Sequence, residues 1–167
     1  MSIPLETERK FLVREKDCPF TKEPEHILQG YLAADGGMTV RVRRLEKRAV
    51  LTIKDRSVAP GGARPEFEYD IPLDHADHLL RSCGGVPVEK LRHKVVFAGH
   101  KWVIDQFLGA NQGLILAEIE LSHPHEAFPV PIWTGRDVTT DGRFRNSALF
   151  LHPYGQWQRA EQMRKAW

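Results

Sequence analysis

A chain of 167 residues that is 41% hydrophobic and 28% charged has apolar surface enough for one folded body and too little length for two of ordinary size. Lys and Arg number 24 against 22 Asp and Glu, and the resulting formal charge of +2 excludes a protein that holds duplex nucleic acid by bulk positive charge. No apolar run approaches the ~18 residues of a membrane helix, and Met1 to Leu12 is charged where a secretory leader is apolar, so a cytoplasmic protein with no membrane partner is expected. Cys18 and Cys83 lack metal-ligand spacing and are expected as free thiols.

Turn signals recur at short intervals, among them Asp35-Gly36-Gly37, Pro60-Gly61-Gly62, Gly84-Gly85 and Asn111-Gln112-Gly113, and the runs between them mostly alternate in polarity. Strands are expected at 4–13, 27–33, 38–47, 49–56 and 64–72. A helix follows, with Asp74 as its cap, Ala76, Leu79, Leu80 and Cys83 on one face, and Gly84 as its stop. Further strands are expected at 87–98, 101–107 and 114–122. After Asn146, read as an N-cap, Ser147 to Leu151 and the tail from Trp157 to Trp167 read as helical, broken at Pro153 and Gly155. The fold class is therefore α+β, mainly antiparallel β, with eight strands suited to a closed barrel and helices at its periphery. Residues 1–152 form the expected domain; 153–167 form a helical tail that joins it or is partly ordered.

Alternation sends residues i, i+2 and i+4 of a strand to one face, so charge at that spacing is charge on one side. Glu6, Glu8 and Lys10 share a face, as do Arg41 and Arg43, Glu66 and Glu68, Lys90 and Arg92, and Glu118 and Glu120; Lys54 and Asp105 add single charges. A polar face on any one strand needs no purpose, because antiparallel sheets commonly turn one face to water. The sum is more telling: seven acids and six bases occupy the charged parity of strands whose other parity is apolar. Two carboxylates about 7 Å apart repel by roughly 0.6 kcal/mol in water and about 2.4 kcal/mol at an effective dielectric near 20, so enclosing such pairs requires cations. Separate acidic and basic walls would have a use, since carboxylates suit Mg²⁺ or Mn²⁺ while guanidinium and ammonium groups suit phosphoryl oxygens.

Glu6-Thr7-Glu8-Arg9-Lys10 resembles the E-x-E-x-K signature of the CYTH superfamily, the triphosphate tunnel metalloenzymes. The resemblance continues in order through Gln29-Gly30-Tyr31-Leu32, Thr39 to Arg43, Thr52-Ile53-Lys54, Glu66-Phe67-Glu68, Lys90-Leu91-Arg92, Trp102 to Asp105 and Ala117 to Leu121, over roughly residues 3 to 152. It implies an eight-stranded tunnel with charged side chains within. It also implies that Glu6, Glu8, Glu66, Glu68, Asp105, Glu118 and Glu120 form the acidic, metal-holding set, with Glu8, Glu118 and Glu120 foremost. Lys10, Arg41, Arg43, Lys54, Lys90 and Arg92 would grip a triphosphate, and a metal-activated water would attack a terminal phosphorus. Tyr31 and Lys90 are the candidates for proton transfer, Tyr31 serving equally well as wall packing, and Lys54 joins them as a catalytic candidate.

A compact chain with no evident nucleobase pocket resembles the short bacterial inorganic triphosphatases, with tripolyphosphate or a related triphosphate as substrate. The alternatives are a class IV type adenylate cyclase or other organic-triphosphate hydrolase of the same superfamily, and a polyphosphate-binding module without turnover. The histidines, including His75 and His78, and the four tryptophans read as solvated or packing residues. Arg136 and Arg143 to Arg145 reach the tunnel mouth or lie exposed, and the tail leaves a homodimer open.

Overall fold

The computed structural model describes residues 5–35, 37–55, 64–123 and 125–157. Eight strands lie close to where alternation places them: β1 (Leu5–Val13), β2 (Glu25–Asp35), β3 (Met38–Arg44), β4 (Ala49–Lys54), β5 (Arg64–Ile71), β6 (Val88–Phe97), β7 (His100–Phe107) and β8 (Ile115–Leu121). A ninth, β9 (Thr134–Asp137), corrects the expected count of eight. Its sequence, Thr-Gly-Arg-Asp, has no apolar alternation. What makes it a strand is its pairing with β1, where Phe11 faces Asp137 and Val13 faces Thr134. Gly135 permits the approach, because a Cβ there would lie 3.3 Å from the backbone oxygen of Leu12.

The strands form one antiparallel sheet in the order β5-β4-β3-β2-β6-β7-β8-β1-β9. An additional pairing joins β1 to β5, with Leu5 opposite Pro65 and Glu6 opposite Arg64.

The uncharged parity is covered from outside by two apolar layers. Helix α1 (Leu73–Arg81) buries Ala76 and Leu80 against Val42 and Ala49, with Leu51 and Ile71 alongside. The structure corrects its ends: the cap position belongs to Pro72, which supplies no side-chain hydrogen bond, and Asp74 lies inside the first turn, where its charge favours the helix dipole. The helix closes at Ser82, before Gly84. On the opposite side Phe11, Trp102, Ile104, Ile119 and Trp133 form an aromatic-rich layer under the segment that leads into β9. Trp102 meets Phe11, Phe128 and Trp133 at ring separations of 5.8, 5.8 and 5.2 Å, so Trp102 and Trp133 are packing residues.

The charged parity is not charged throughout. Tyr31, Val88, Phe107 and Leu116 carry it into a third cluster, where Phe144, Leu149 and Phe150 meet them. Helix α2 (Asn146–Leu151) brings Leu149 and Phe150, and Tyr154 and Trp157 pack against the same cluster. Fully burying each Leu or Phe side chain stabilises by roughly 1.5–3 kcal/mol, so α2 is held in place by its own apolar face. The expected helical tail beyond Trp157, through Trp167, lies outside the described residues.

Gly85 marks a tight contact with α2: a Cβ at this position would lie 2.4 Å from the Phe150 ring, while Val86 N–H donates to the Phe150 carbonyl at 3.0 Å. Gly85→Ala should therefore destabilise the fold by about 1–3 kcal/mol, the range for overpacking, and the smaller ring-free partner in Gly85→Ala/Phe150→Leu should recover part of that loss in urea unfolding.

Candidate functional site

The charged parity surrounds a cavity of about 510 Å³ lined by Glu8, Gln29, Arg41, Arg43, Lys54, Glu66, Glu68, Lys90, Arg92, Glu118, Glu120 and Asn146. Ten of these twelve are charged residues that the sequence places on one strand face, and they come from β1, β3, β4, β5, β6 and β8. Of the remaining expected residues, Lys10, Tyr31 and Asp105 stand behind the lining and are buried. The side chain of Glu6 lies outside the described residues.

The expected division into an acidic and a basic wall is not what the structure has; it interleaves the signs. Arg43 pairs with Glu68, Arg41 lies 3.5 Å from Glu66, and Lys54 lies 3.2 Å from the other Glu66 oxygen. Thr52 Oγ1 donates to Glu68 at 2.9 Å. Register explains the pattern, because Arg41 faces Thr52 and Thr52 faces Glu68, while Lys54 faces Glu66 directly. Burial pushes the Arg43 guanidinium down to about 10, helped by Arg41 beside it and opposed by Glu68.

A second group is more deeply buried. Asp105 Oδ2 lies 2.6 Å from Lys90 Nζ and 2.7 Å from Arg92 Nη2, and Asp105 Oδ1 accepts from Arg92 Nε at 2.7 Å. Burial alone would raise the Asp105 carboxyl, but Lys90 and Arg92 outweigh it and hold the group well below the usual carboxylate range. Burial dominates at Lys90 and, with the like charge of Arg92 against the pull of Asp105, brings its ammonium down to about 8. One carboxylate between two cations leaves the pair short of negative charge. Glu118 makes up part of it, lying 3.6 Å from Arg92 and 2.8 Å from Lys10. Burial opposes the Glu118 charge, yet Lys10 foremost among its neighbours holds its pKa down to about 2. Burial likewise opposes the Lys10 charge, and Glu118 and Glu8 outweigh it and hold the ammonium above its ordinary range.

One contact breaks the rule of opposite signs. Glu8 and Glu120 face each other across β1 and β8, a register that sets two like charges about 5 Å apart at Cβ and is destabilising by itself. Glu8 has Lys10 at 3.7 Å, whereas Glu120 is exposed and makes no salt bridge among the described residues. Among those residues no three His, Cys, Asp or Glu side chains converge into a ready-made metal site. The donor set nevertheless fits a hard divalent cation: it is all carboxylate oxygen, and the opposed Glu8 and Glu120 are the couple a cation would relieve.

Tyr31 belongs to the apolar cluster, its ring 5.5 Å from that of Phe150. Its hydroxyl accepts from Gln29 Nε2 at 3.3 Å, and burial pushes the phenol up against the opposing influence of Arg41 and Lys54. Alternation alone missed the two carboxamides in the lining. Gln29 sits on β2 in the same parity as Tyr31, a signal that was available. Asn146, the expected N-cap, is instead the first residue of α2: Arg145 occupies the cap position without a side-chain bond, and Asn146 Oδ1 accepts from Lys90 Nζ at 3.2 Å. Arg136 and Arg143 are more than half exposed and pair with Asp141, outside the cavity.

A CYTH domain model matches residues 4–146. The chain belongs to the CYTH family. It is 41% identical over 150 residues to an inorganic triphosphatase of Acetivibrio thermocellus, covering 89% of this chain and 95% of that protein. It is 32% identical over 153 residues to an inorganic triphosphatase of Nitrosomonas europaea, covering 87% of this chain and 97% of that protein. A solved inorganic triphosphatase structure superposes with a TM-score of 0.64 at 31% identity, covering 87% of this chain and 97% of its own. A plant protein from Hippeastrum, with a TM-score of 0.52 at 15% identity, shares the fold.

The buried triad of Asp105, Lys90 and Arg92 should dominate acid stability. Both Asp105 and Glu118 are depressed, so their contribution is complete above the ordinary carboxylate range near pH 4.5 and is lost as pH falls toward 2. Asp105→Asn should cost about 3–5 kcal/mol at neutral pH by leaving two cations uncompensated, and should flatten the acid limb of a stability profile measured by urea unfolding between pH 2 and 6.

Proposed function

We propose that the cavity is the hydrolytic centre of an inorganic triphosphatase that acts on tripolyphosphate with Mg²⁺ or Mn²⁺. The observation that carries this reading is the lining itself: five cations and five carboxylates from six strands converge on one space in a chain 41% identical to an inorganic triphosphatase. CYTH triphosphatases are generally dependent on a divalent metal. The pairing of β1 with β5 supports a closed eight-stranded tunnel, with β9 outside the ring and α2 filling one end. Residues 1–152 then form the tunnel domain, and the segment that follows belongs to it through Tyr154 and Trp157.

Roles follow from what each side chain can exchange. Arg41, Arg43, Lys54 and Arg92 offer N–H donors to phosphoryl oxygens, and each is held by a carboxylate that fixes its direction. Glu8 and Glu120, with Glu118 beside them, would hold the divalent ion, which when bound neutralises the phosphate chain and lowers the pKa of its water. Asp105 has no oxygen to spare and serves to position Lys90 and Arg92. Lys10 does the same for Glu118. Lys90, with its ammonium brought down to about 8, is the group readiest to exchange a proton near neutral pH. Tyr31 keeps its proton and packs the wall.

Two other readings have less support. A cyclase would need a surface for a nucleobase, and ten of the twelve lining residues are charged. A binding module without turnover does not account for 41% and 32% identity to two inorganic triphosphatases over most of the chain. Purified protein should release phosphate from tripolyphosphate with Mg²⁺ or Mn²⁺, lose that activity in EDTA, and form no cyclic nucleotide from ATP. Lys54→Ala or Glu8→Ala should lower kcat/KM by about a hundredfold or more, the scale for removing a charged transition-state contact. Glu8→Gln and Glu120→Gln should raise the metal concentration needed for half-maximal activity, and full activity of both variants at limiting metal would refute the assignment of the ion to that couple.

A further inference from the structure

The two neutral residues in an otherwise charged lining, Gln29 and Asn146, differ in what they can offer an anion. Gln29 is fully buried; one N–H of its amide goes to the Tyr31 hydroxyl at 3.3 Å, and its oxygen is buried without a hydrogen bond among the described residues. Asn146 is the reverse case. Its oxygen lies 3.2 Å from Lys90 Nζ, and an ammonium only donates, so the contact fixes which way the amide faces. The NH₂ arm is thereby left over: it makes no hydrogen bond among the described residues, and the side chain borders the cavity. Phosphoryl oxygens accept such a donor.

Asn146 is also well placed to aim Lys90. Of the three N–H groups on that ammonium, one goes to Asp105 at 2.6 Å and one to Asn146, while the Phe107 ring lies 5.5 Å from the nitrogen on a further side. The remaining donor direction is set by these partners. Asn146 itself is fixed because α2 buries Leu149 and Phe150 in the apolar cluster.

We propose that Asn146 is a substrate-binding residue: its NH₂ donates to a phosphoryl oxygen of the inorganic triphosphate, while its oxygen positions Lys90. The proposal rests on the triphosphatase reading and gives α2 a direct part in the site. It separates two functions of one amide, which a pair of substitutions can divide. Asn146→Asp keeps an acceptor for Lys90 and removes the NH₂; Asn146→Ala removes both.

The test measures kcat and KM for tripolyphosphate with Mg²⁺, the Kd for tripolyphosphate by calorimetry with divalent metal chelated, and the melting temperature, on wild type, Asn146→Asp, Asn146→Ala and Asn146→Ser. Both Asp and Ala should raise KM and Kd by about tenfold or more, the effect of losing one hydrogen bond to a charged group. Only Ala should also lower kcat by about tenfold, with Asp restoring it to within about threefold of wild type. Melting temperatures should stay within a few degrees, and Ser serves as the shortened side chain if Ala does not fold. KM and Kd within about twofold of wild type in every folded variant would overturn substrate contact. A fall in kcat that Asp does not restore, tracking a fall in melting temperature, would overturn the positioning role. A wild type that binds tripolyphosphate without hydrolysing it would refute the triphosphatase reading while the Kd comparison still decides the contact; a wild type that neither hydrolyses tripolyphosphate with Mg²⁺ nor binds it with or without divalent metal would overturn both.

Discussion

Asp105 lies 1% exposed between Lys90 and Arg92, and its two oxygens accept three N–H donors. Removing Asp105 would leave two cations without their shared carboxylate, at a cost of several kcal/mol. The group is therefore fixed as a unit, and it is built from adjacent strands, with Arg92 directly opposite Asp105 in the β6–β7 pairing and Lys90 two residues along. Such a unit is a poor way to gain stability, since an apolar replacement packs as well without desolvation. Its consequence is orientation: two cations reach the cavity from directions that substrate binding does not have to pay to establish.

The same reasoning extends around the cavity. Glu66 and Glu68 hold Arg41, Arg43 and Lys54, and Glu118 stands between Lys10 and Arg92. Each of these carboxylates restrains a long, rotamer-rich cation, so less side-chain entropy remains to be lost when an anion arrives. Acidic residues in this site thus have two kinds of work. Some neutralise and orient cations, and under the proposed function the opposed Glu8 and Glu120 hold the divalent ion. Residue type alone could not distinguish them, because all are carboxylates at the same parity.

Strand alternation made most of the architecture legible in the sequence. It placed eight strands within a few residues and put ten of the thirteen expected charges on one lining. It could not show that the signs interleave, because that depends on register: Lys54 meets Glu66 only through the β4–β5 alignment, and Arg92 meets Asp105 only through β6–β7. It missed β9 because four polar residues become a strand by pairing with β1 and not by their own propensity. It misread Asn146 because Asn before an apolar run is a good cap, and only the fold brings Lys90, 56 positions earlier, to its oxygen. Local signals identify elements; contacts across long sequence distance identify roles.

The balance of charge in the lining bears on how a triphosphate could enter at all. With five cations against five carboxylates the walls are formally neutral, so a polyanion gains no net attraction from the cavity as a whole. It would be drawn to the cations and repelled by Glu8, Glu118 and Glu120 at short range. A divalent ion at Glu8 and Glu120 reverses the second effect without weakening the first, because the carboxylates that restrain Arg41, Arg43, Lys54 and Lys90 are different groups. Metal and triphosphate are therefore expected to bind with positive coupling: each lowers the electrostatic cost of the other, and by linkage the gain in affinity is the same from either side. A neutral lining thus favours the anion together with its cation over the bare anion, which makes metal dependence a property of the walls as well as of the chemistry.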